Sequence, residues 1–143
     1  MILFCDTSAL VKLYVDEVHA AAVREVAAKA GMIGVSKLAW VELHAALARR
    51  TREVPKSQPA VETIKQQFRE DWQRFAVVET TQNVVAGAGD LADAFALRAY
   101  DAVQLASAHR LKQAADEALL FACFDRRLNR AAELLGMTTL IVD

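Results

Sequence analysis

The sequence predicts an α/β protein in which one parallel β-sheet of four to five short strands carries helices on both faces. Short apolar runs recur along the chain between turn-forming residues, which is typical of strands covered on both faces. Segments of helical length separate these runs, so the strands pair in parallel through right-handed crossovers. With 143 residues the chain can bury one sizeable core, and we expect a single domain spanning residues 1–143.

The individual elements follow from composition and periodicity. Short apolar stretches predict strands at residues 2–5, 32–35, 76–78, 119–124 and 139–142. The intervening segments are rich in helix-forming residues and predict helices at residues 7–15, 19–30, 37–50, 60–75, 82–97, 101–114 and 126–135.

Capping and breaking residues set the helix boundaries in chain order. Thr7 or Ser8 is expected to cap the first helix, and Ser36 the third. Gly31 ends the second helix and Gly136 ends the last one. Two prolines between residues 52 and 59 separate the third helix from the fourth, because proline cannot continue a helix.

Charge and hydropathy exclude several classes of protein. A formal net charge of −1 excludes binding of duplex DNA through overall charge. Two local basic stretches remain, at residues 49–56 and 126–130, and a solvated helix face is the simpler explanation of each alone. No apolar run approaches the eighteen or so residues of a membrane span, and the N-terminal run has no basic region before it. We therefore expect a soluble, cytoplasmic protein without a membrane partner.

The cysteines and histidines do not suggest a metal or disulfide framework. Two cysteines are too few for a zinc site or a disulfide scaffold, and the three histidines lack metal-binding spacing. Strand alternation places Cys123 on the same face as Asp125, whereas Cys5 and the adjacent Asp6 point in opposite directions. We therefore expect the two thiols to be unpaired.

Acidic residues follow two of the predicted strands. Asp6 comes directly after residues 2–5, and Asp125 directly after residues 119–124, so both should project from the same edge of the sheet. Ligands of parallel sheets bind at this carboxyl edge. Each aspartate alone is explained equally well as a helix cap, and the repetition favours a shared site.

Two further acids are candidates for the same cleft. Glu42 lies in the stretch LAWVELHAAL, on the helix face that Ala45 and Ala46 are expected to share. If that face packs on the sheet, the carboxylate needs a partner, either an arginine or a metal ion. Asp101 begins DAVQLASAHRL and could simply cap that helix.

Four converging carboxylates would repel one another unless a cation neutralised them. An all-oxygen ligand set favours Mg²⁺ or Mn²⁺ over zinc. Such ions position phosphates and lower the pKa of a bound water.

Four sequence stretches, in this order and spacing, resemble the PIN-domain ribonucleases, most closely the VapC-type toxins of toxin–antitoxin pairs. They are FCDTSALVKLYVDE, SKLAWVELHAAL, LRAYDAVQLASA and FDRRLNRAAELLGM. The resemblance covers nearly the whole chain; residues 51–74 carry no family motif.

The resemblance implies a PIN-like fold and a metal-dependent endoribonuclease. It assigns the metal-binding and catalytic roles to Asp6, Glu42, Asp101 and Asp125, with Ser8 as the small polar residue of the site and Thr7 beside it. It implies RNA hydrolysis that leaves a 3′ hydroxyl and a 5′ phosphate, a homodimer, and inhibition by a small antitoxin.

Some points remain open at this stage. Arg98, Arg126 and Arg127 lie near the acids in sequence and would contact phosphates or pair with the acids. Cys123 stands where many relatives carry Ser or Thr, so a hydroxyl contact would be lost. The alternatives are an RNA-processing nuclease that is not a toxin, a non-catalytic binding module whose acids are caps and ion pairs, and, with little support, phosphoryl transfer through an aspartyl intermediate.

Overall fold

The computed structural model describes residues 1–140, in which five strands alternate with seven α-helices. The strands are β1 (Ile2–Cys5), β2 (Met32–Ser36), β3 (Ala76–Val78), β4 (Leu119–Ala122) and β5 (Thr138–Thr139). The helices are α1 (Thr7–Val11), α2 (Ala20–Lys29), α3 (Ala39–Glu53), α4 (Gln58–Trp72), α5 (Gln82–Phe95), α6 (Ala99–Ala115) and α7 (Arg126–Leu134). Residues 141 and 142 of the predicted last strand lie outside the described part of the chain.

The five strands form one parallel sheet in the order β3-β2-β1-β4-β5, which confirms the predicted fold class. From β1 the chain builds outward through β2 and β3, and it then returns to the opposite side of β1 to add β4 and β5. The connection after β1 therefore leads toward one edge of the sheet and the connection into β4 toward the other, and the two separate between β1 and β4. This is the topological switch point, where parallel sheets open a crevice at the carboxyl ends of their strands.

Alternation along the strands divides the core between the two faces of the sheet. Leu3 and Cys5 of β1 join a cluster with buried side chains of α1, α3 and α4. Ile2 and Phe4 join a second cluster, with α6 and α7, in which the Phe4 ring stacks on Phe121 at 5.8 Å between centroids. Helices therefore cover both faces, as predicted. Among residues 1–140, no helix combines the length and apolar character that a membrane crossing requires.

The two thiols are free, as predicted. Cys5 belongs to the first cluster and Cys123 to the second, so the sheet lies between them. Period-two alternation is therefore sufficient to keep these cysteines apart.

The predicted cap and end of the first helix are wrong, whereas its start at residue 7 is confirmed. Asp6 caps α1 in place of Thr7 or Ser8, because the extended backbone of β1 continues to Asp6 and the helix begins immediately after it. The helix ends at Val11 and not near residue 15, since the chain tightens into turns with hydrogen bonds between residues three apart.

Two other predicted caps are also corrected. Ser36 is the last residue of β2, and its hydroxyl accepts a hydrogen bond from the backbone N–H of Leu38, which is the residue that caps α3. Asp101 lies in the first turn of α6, whose cap is Arg98. The remaining boundaries within residues 1–140 differ from the predicted ones by at most three residues, the largest differences being 53 against 50 and 72 against 75.

Candidate active site

Asp6 stands at the switch point, immediately after β1. Its backbone N–H donates to the carbonyl of Ala122 in the neighbouring strand at 3.1 Å, which ties the residue to both strands. Its carboxylate Oδ1 accepts hydrogen bonds from Ser8 Oγ at 2.7 Å and from the backbone N–H of Ala9 at 3.0 Å. The residue is only 7% exposed. One oxygen of Asp6 is therefore occupied by cap bonds in a largely dry environment.

The surroundings of Asp6 favour its neutral form. Burial raises the pKa of Asp6 to about 6, because a low-dielectric environment penalises the charged carboxylate. The hydrogen bonds from Ser8 and Ala9 lower this pKa, whereas the charges of Asp101 and Glu42 raise it. The buried carboxylate thus lacks a compensating positive charge.

Glu42 reaches the same region from the first turn of α3. Its Oε1 accepts a hydrogen bond from Thr7 Oγ1 at 2.8 Å and another from Gln104 Nε2 at 2.9 Å. The same amide nitrogen lies 3.2 Å from Thr7 Oγ1. Both bonds to Glu42 fall on one oxygen, which leaves Oε2 for another partner.

The predicted setting of Glu42 needs correction. The buried stripe of α3 consists of Ala39, Leu43 and Leu47, so Glu42 lies beside that stripe and Ala45 is exposed. Within residues 1–140 its partners are a hydroxyl and an amide, and it makes no ion pair with an arginine.

Gln104 is a residue of the site that was not predicted from the sequence. This side chain is 3% exposed and links α6 to α1 and α3 through the bonds described above. Its Oε1 is buried and has no hydrogen-bond partner. The available signal was spacing, because Gln104 comes three residues after Asp101 and so shares its helix face.

Asp101 and Asp125 form the other side of the cleft. Asp125 caps α7, and its Oδ1 accepts a hydrogen bond from the backbone N–H of Leu128 at 2.9 Å. Partial burial and the charge of Asp125 raise the pKa of Asp101, and Arg98, with Nε 4.0 Å from Asp101 Oδ2, opposes this rise in pKa. Asp125 was predicted to come directly after a strand and to start a helix: the helix is confirmed, but β4 ends at Ala122, so Cys123 and Phe124 lie between the strand and Asp125.

The four acids are close enough for their charges to interact, Asp6 with Glu42 and Asp101, and Asp101 with Asp125, but they do not form a compact cluster. The charges of Asp6, Asp101 and Asp125 all contribute to the raised pKa of the Cys123 thiol, after burial as the main cause. Within residues 1–140, however, no three His, Cys, Asp or Glu side chains are close enough to hold a metal ion as they stand.

Three arginines surround the outer side of this cleft. Together with Asp101 and Asp125, the side chains of Arg98, Arg126 and Arg127 line a depression of about 320 Å³. Arg127 Nη1 donates to the carbonyl of Ala96 at 3.1 Å, which fixes its position. The structure therefore brings together the arginines and acids that the sequence placed near each other.

Cys123 makes hydrogen bonds at the position where a hydroxyl was expected. Its Sγ lies 3.2 Å from Asn129 Oδ1, and the Asn129 amide donates in return to the Cys123 carbonyl at 3.1 Å. The thiol also contacts the Asp125 carbonyl at 3.6 Å. The segment that carries Asp125 is therefore braced against α7.

The fold and the site define the class of protein: it is a parallel α/β protein with an acidic crevice at the switch point of its sheet. The PIN domain family matches residues 3–134, most of the length of the chain, and the chain belongs to this family. It is 33% identical over 135 residues to Ribonuclease VapC45 and to Ribonuclease VapC49 of Mycobacterium tuberculosis. Each alignment covers 94% of this chain and 92% of the relative. The resemblance to the VapC-type members of the family is confirmed.

Solved structures share the fold at low sequence identity. FitAcB from Neisseria gonorrhoeae superimposes with a TM-score of 0.68 at 14% identity, over 99% of this chain and 97% of that chain. VapBC2 from Rickettsia felis, bound to a DNA fragment from its promoter, superimposes with a TM-score of 0.64 at 13% identity, over 97% of both chains.

Proposed function

We propose that this protein is a metal-dependent endoribonuclease, the toxin of a toxin–antitoxin pair, which hydrolyses phosphodiester bonds in RNA. The observation that carries the proposal is the charge coupling, in a PIN-domain chain, of Asp6 to Glu42 and Asp101, and of Asp101 to Asp125. Relatives that are 33% identical over nearly the full length are ribonucleases by name. The fold alone would not support this activity, because one fold hosts many functions.

The donor set fits Mg²⁺ or Mn²⁺. Every candidate ligand is a carboxylate oxygen, and hard divalent ions prefer oxygen. Burial raises the pKa of Asp6 and of Asp101, and neighbouring carboxylates raise both further, so a bound cation would favour the ionised forms. Asp6, Asp101 and Asp125 would hold the ion, with Glu42 as a further ligand or as the group that orients the attacking water. When bound, the ion lowers the pKa of a water and neutralises phosphate charge.

The chain's own residues provide positioning. Backbone N–H groups at the starts of α1 and α7 each hold one oxygen of Asp6 and Asp125, so that both carboxylates are fixed before substrate arrives. Thr7 and Gln104 hold Oε1 of Glu42 and leave Oε2 for the reaction. Ser8 donates to Asp6 and thereby helps to keep it ionised.

The three arginines around the cleft are proposed phosphate contacts. Arg98 is 86% exposed and only loosely paired with Asp101, so its guanidinium remains available to an anion. Arg126 and Arg127 follow Asp125 directly and line the same depression. These cations would offset the repulsion between RNA phosphates and the acids.

An antitoxin and a second copy of the chain are the proposed protein partners. Similar folds include a structure named as a toxin–antitoxin complex from Klebsiella pneumoniae, with a TM-score of 0.58 at 19% identity over 84% of both chains. This chain exposes large apolar side chains, among them Val41, Tyr100 and Leu134, that a partner would cover. Two free thiols support a reducing compartment, and we propose the cytoplasm.

Cleavage of RNA by purified protein in the presence of Mn²⁺ tests the function. Asp6→Asn should lower the cleavage rate by at least about 100-fold, because it removes a charged ligand from the crevice. Asp93→Asn is the matched control, since Asp93 is an exposed acid on α5, and it should cleave at the wild-type rate.

Undiminished cleavage by Asp6→Asn would exclude Asp6 from the reaction. A wild-type protein that neither cleaves RNA nor binds Mn²⁺ in calorimetry would favour a non-catalytic binding module. Growth unaffected by expression of a protein that cleaves RNA in vitro would favour an RNA-processing nuclease over a toxin.

A further inference from the structure

A second depression adjoins the acidic crevice. It measures about 520 Å³, and six of the residues that line it are His19, Cys123, Phe124, Arg126, Asn129 and Arg130. Arg126 also lines the smaller depression that contains Asp101 and Asp125. The two hollows therefore share a wall, and a strand of substrate leaving the acidic crevice over Arg126 enters the second one. We name it the flanking pocket.

One helix supplies the cations of the flanking pocket. Arg126 and Arg130 are four residues apart on α7, so they lie on one face about 6 Å apart along the helix axis. This separation is close to the spacing of successive phosphates along a single strand. Both side chains are exposed.

These two arginines have no counter-ion in the described part of the chain. Within residues 1–140 neither makes an ion pair, whereas Arg24, Arg49 and Arg74 are each paired with a carboxylate. Glu133 lies in the same pocket, but its Oε1 accepts a hydrogen bond from Thr139 at 2.9 Å. Among residues 1–140, the lining therefore includes two arginines and one carboxylate, a net positive charge, beside the depression that contains Asp101 and Asp125.

An aromatic pair also lines the flanking pocket. The His19 ring stacks on Phe124 with 5.5 Å between centroids and 5° between the ring planes. Lys12 Nζ lies 4.7 Å from the centroid of Phe124. The His19 backbone has a φ of 69°, a conformation uncommon outside glycine, so its ring is held where ordinary helix geometry would not put it. Such a ring is a platform on which a base can stack.

We propose that the flanking pocket binds a nucleotide next to the scissile phosphate of single-stranded RNA. Arg126 and Arg130 contact its phosphates, and a base stacks on His19. Single strands fit this geometry because a base must be unpaired to reach an aromatic platform, whereas bases of an RNA duplex are already stacked on one another. This inference rests on the proposed function and adds the form of RNA that the site selects.

Binding measured without cleavage tests the inference. The Asp6→Asn protein serves as the background, and fluorescence anisotropy follows its binding to a fluorescein-labelled single-stranded RNA of mixed sequence. Added Arg130→Ala should raise Kd by about 5- to 30-fold and reduce the slope of log Kd against log salt by about 0.7, since one phosphate contact is lost. Added His19→Ala should raise Kd by a similar factor, about 5- to 30-fold, and leave the salt slope unchanged.

Conservative and remote substitutions separate binding from folding. His19→Phe keeps an aromatic ring and should retain the Kd of the background protein. Arg110→Ala and His109→Ala remove the same residue types from a different depression, between α5 and α6, and should change Kd less than about twofold.

The proposal is overturned if Arg130→Ala and His19→Ala bind the single strand as tightly as the background, or if duplex RNA competes as well as single strands. Failure of the proposed function is a separate result. It would appear as a wild-type protein that cleaves no RNA, in which case the same binding comparisons are made without any cleavage of the probe.

Discussion

The Asp6 side chain shows how the requirements of the site oppose those of folding. It is nearly buried, it faces two other acids, and the donors around it are neutral groups from Ser8 and Ala9. A buried charge without a counter-charge lowers stability unless the group takes up a proton. The raised pKa of Asp6 reflects this unfavourable free energy of burying the charged carboxylate.

The stability of the metal-free protein should therefore depend on the charge of Asp6. Because the folded pKa of about 6 exceeds the unfolded value, the folded state keeps a proton that the unfolded state has lost. Stability present below about pH 4 is thus lost as the pH rises through about 6. Asp6→Asn removes this loss, and in EDTA at about pH 7 it should raise the free energy of unfolding by about 1–3 kcal/mol.

Urea unfolding in EDTA at several pH values measures this effect. The gain from Asp6→Asn should shrink toward about pH 4, where the wild-type carboxyl is already neutral in the folded state. Asp93→Asn, on an exposed surface, should show no such dependence. A variant less stable than wild type at neutral pH would mean that the cap bonds outweigh the burial of charge.

Gln104, on α6, helps to fix the orientation of the Glu42 side chain through a hydrogen bond to its Oε1. Gln104→Ala removes one of two donors to Glu42 Oε1, and we expect Mn²⁺ affinity by calorimetry to fall about 10- to 100-fold. Gln113→Ala is the control, because Gln113 is exposed on the same helix. Equal Mn²⁺ affinities for the two variants would show that Glu42 needs no orientation by Gln104.

At the scale of elements, the packing of α6 against the sheet depends on Gly34 in β2. A Cβ at this position would collide with Leu111 Cδ2 and come within 3.2 Å of Phe4 Cδ2. Glycine allows α6 to approach β2 closely. This approach lets α6, the helix that carries Asp101 and Gln104, pack against β2.

Substitutions at two glycines should have opposite effects on stability. Gly34→Ala should lower the free energy of unfolding by about 1–3 kcal/mol, because Leu111 and Phe4 must move. Gly87→Ala lies within α5, where an added Cβ meets nothing within 4 Å, and should raise it by about 0.5–1 kcal/mol. Thermal or urea unfolding distinguishes them, and a neutral Gly34→Ala would show that α6 can shift without cost.

At the scale of the whole molecule, the crevice couples metal binding to folding. Its carboxylates come from β1, α3, α6 and the start of α7, which are assembled only in the folded chain. An ion that binds only the folded state stabilises it by about 2.7 kcal/mol when its concentration is 100 times Kd.

The unfolding temperature of the wild type should therefore rise with Mn²⁺ concentration. The Asp6→Asn variant should show a much smaller rise, because the site loses a charged ligand, and differential scanning fluorimetry compares the two directly. Equal rises would place the ion outside the crevice. In that case the convergence of acids would serve another purpose.

Local patterns in the sequence were sufficient to predict the strands, the helices and their covering of both faces. Periodicity and turn residues act over a few positions, so the element types are recoverable from sequence, as is the separation of Cys5 from Cys123. The caps were less reliable, because Asp6 competes with Thr7 and Ser8 and only the backbone geometry at the end of β1 selects one of them.

By itself, then, the sequence determined the elements and the acids that follow its strands, since these depend on neighbouring residues. Only the tertiary structure decided that β1 and β4 are adjacent. It also decided that Glu42 is held by Thr7 and Gln104 and not by an arginine. Finally, it decided that Arg130 and His19 line the same pocket. These contacts join residues that lie far apart along the chain. Their energies depend on how whole helices pack on the sheet, which no local pattern encodes.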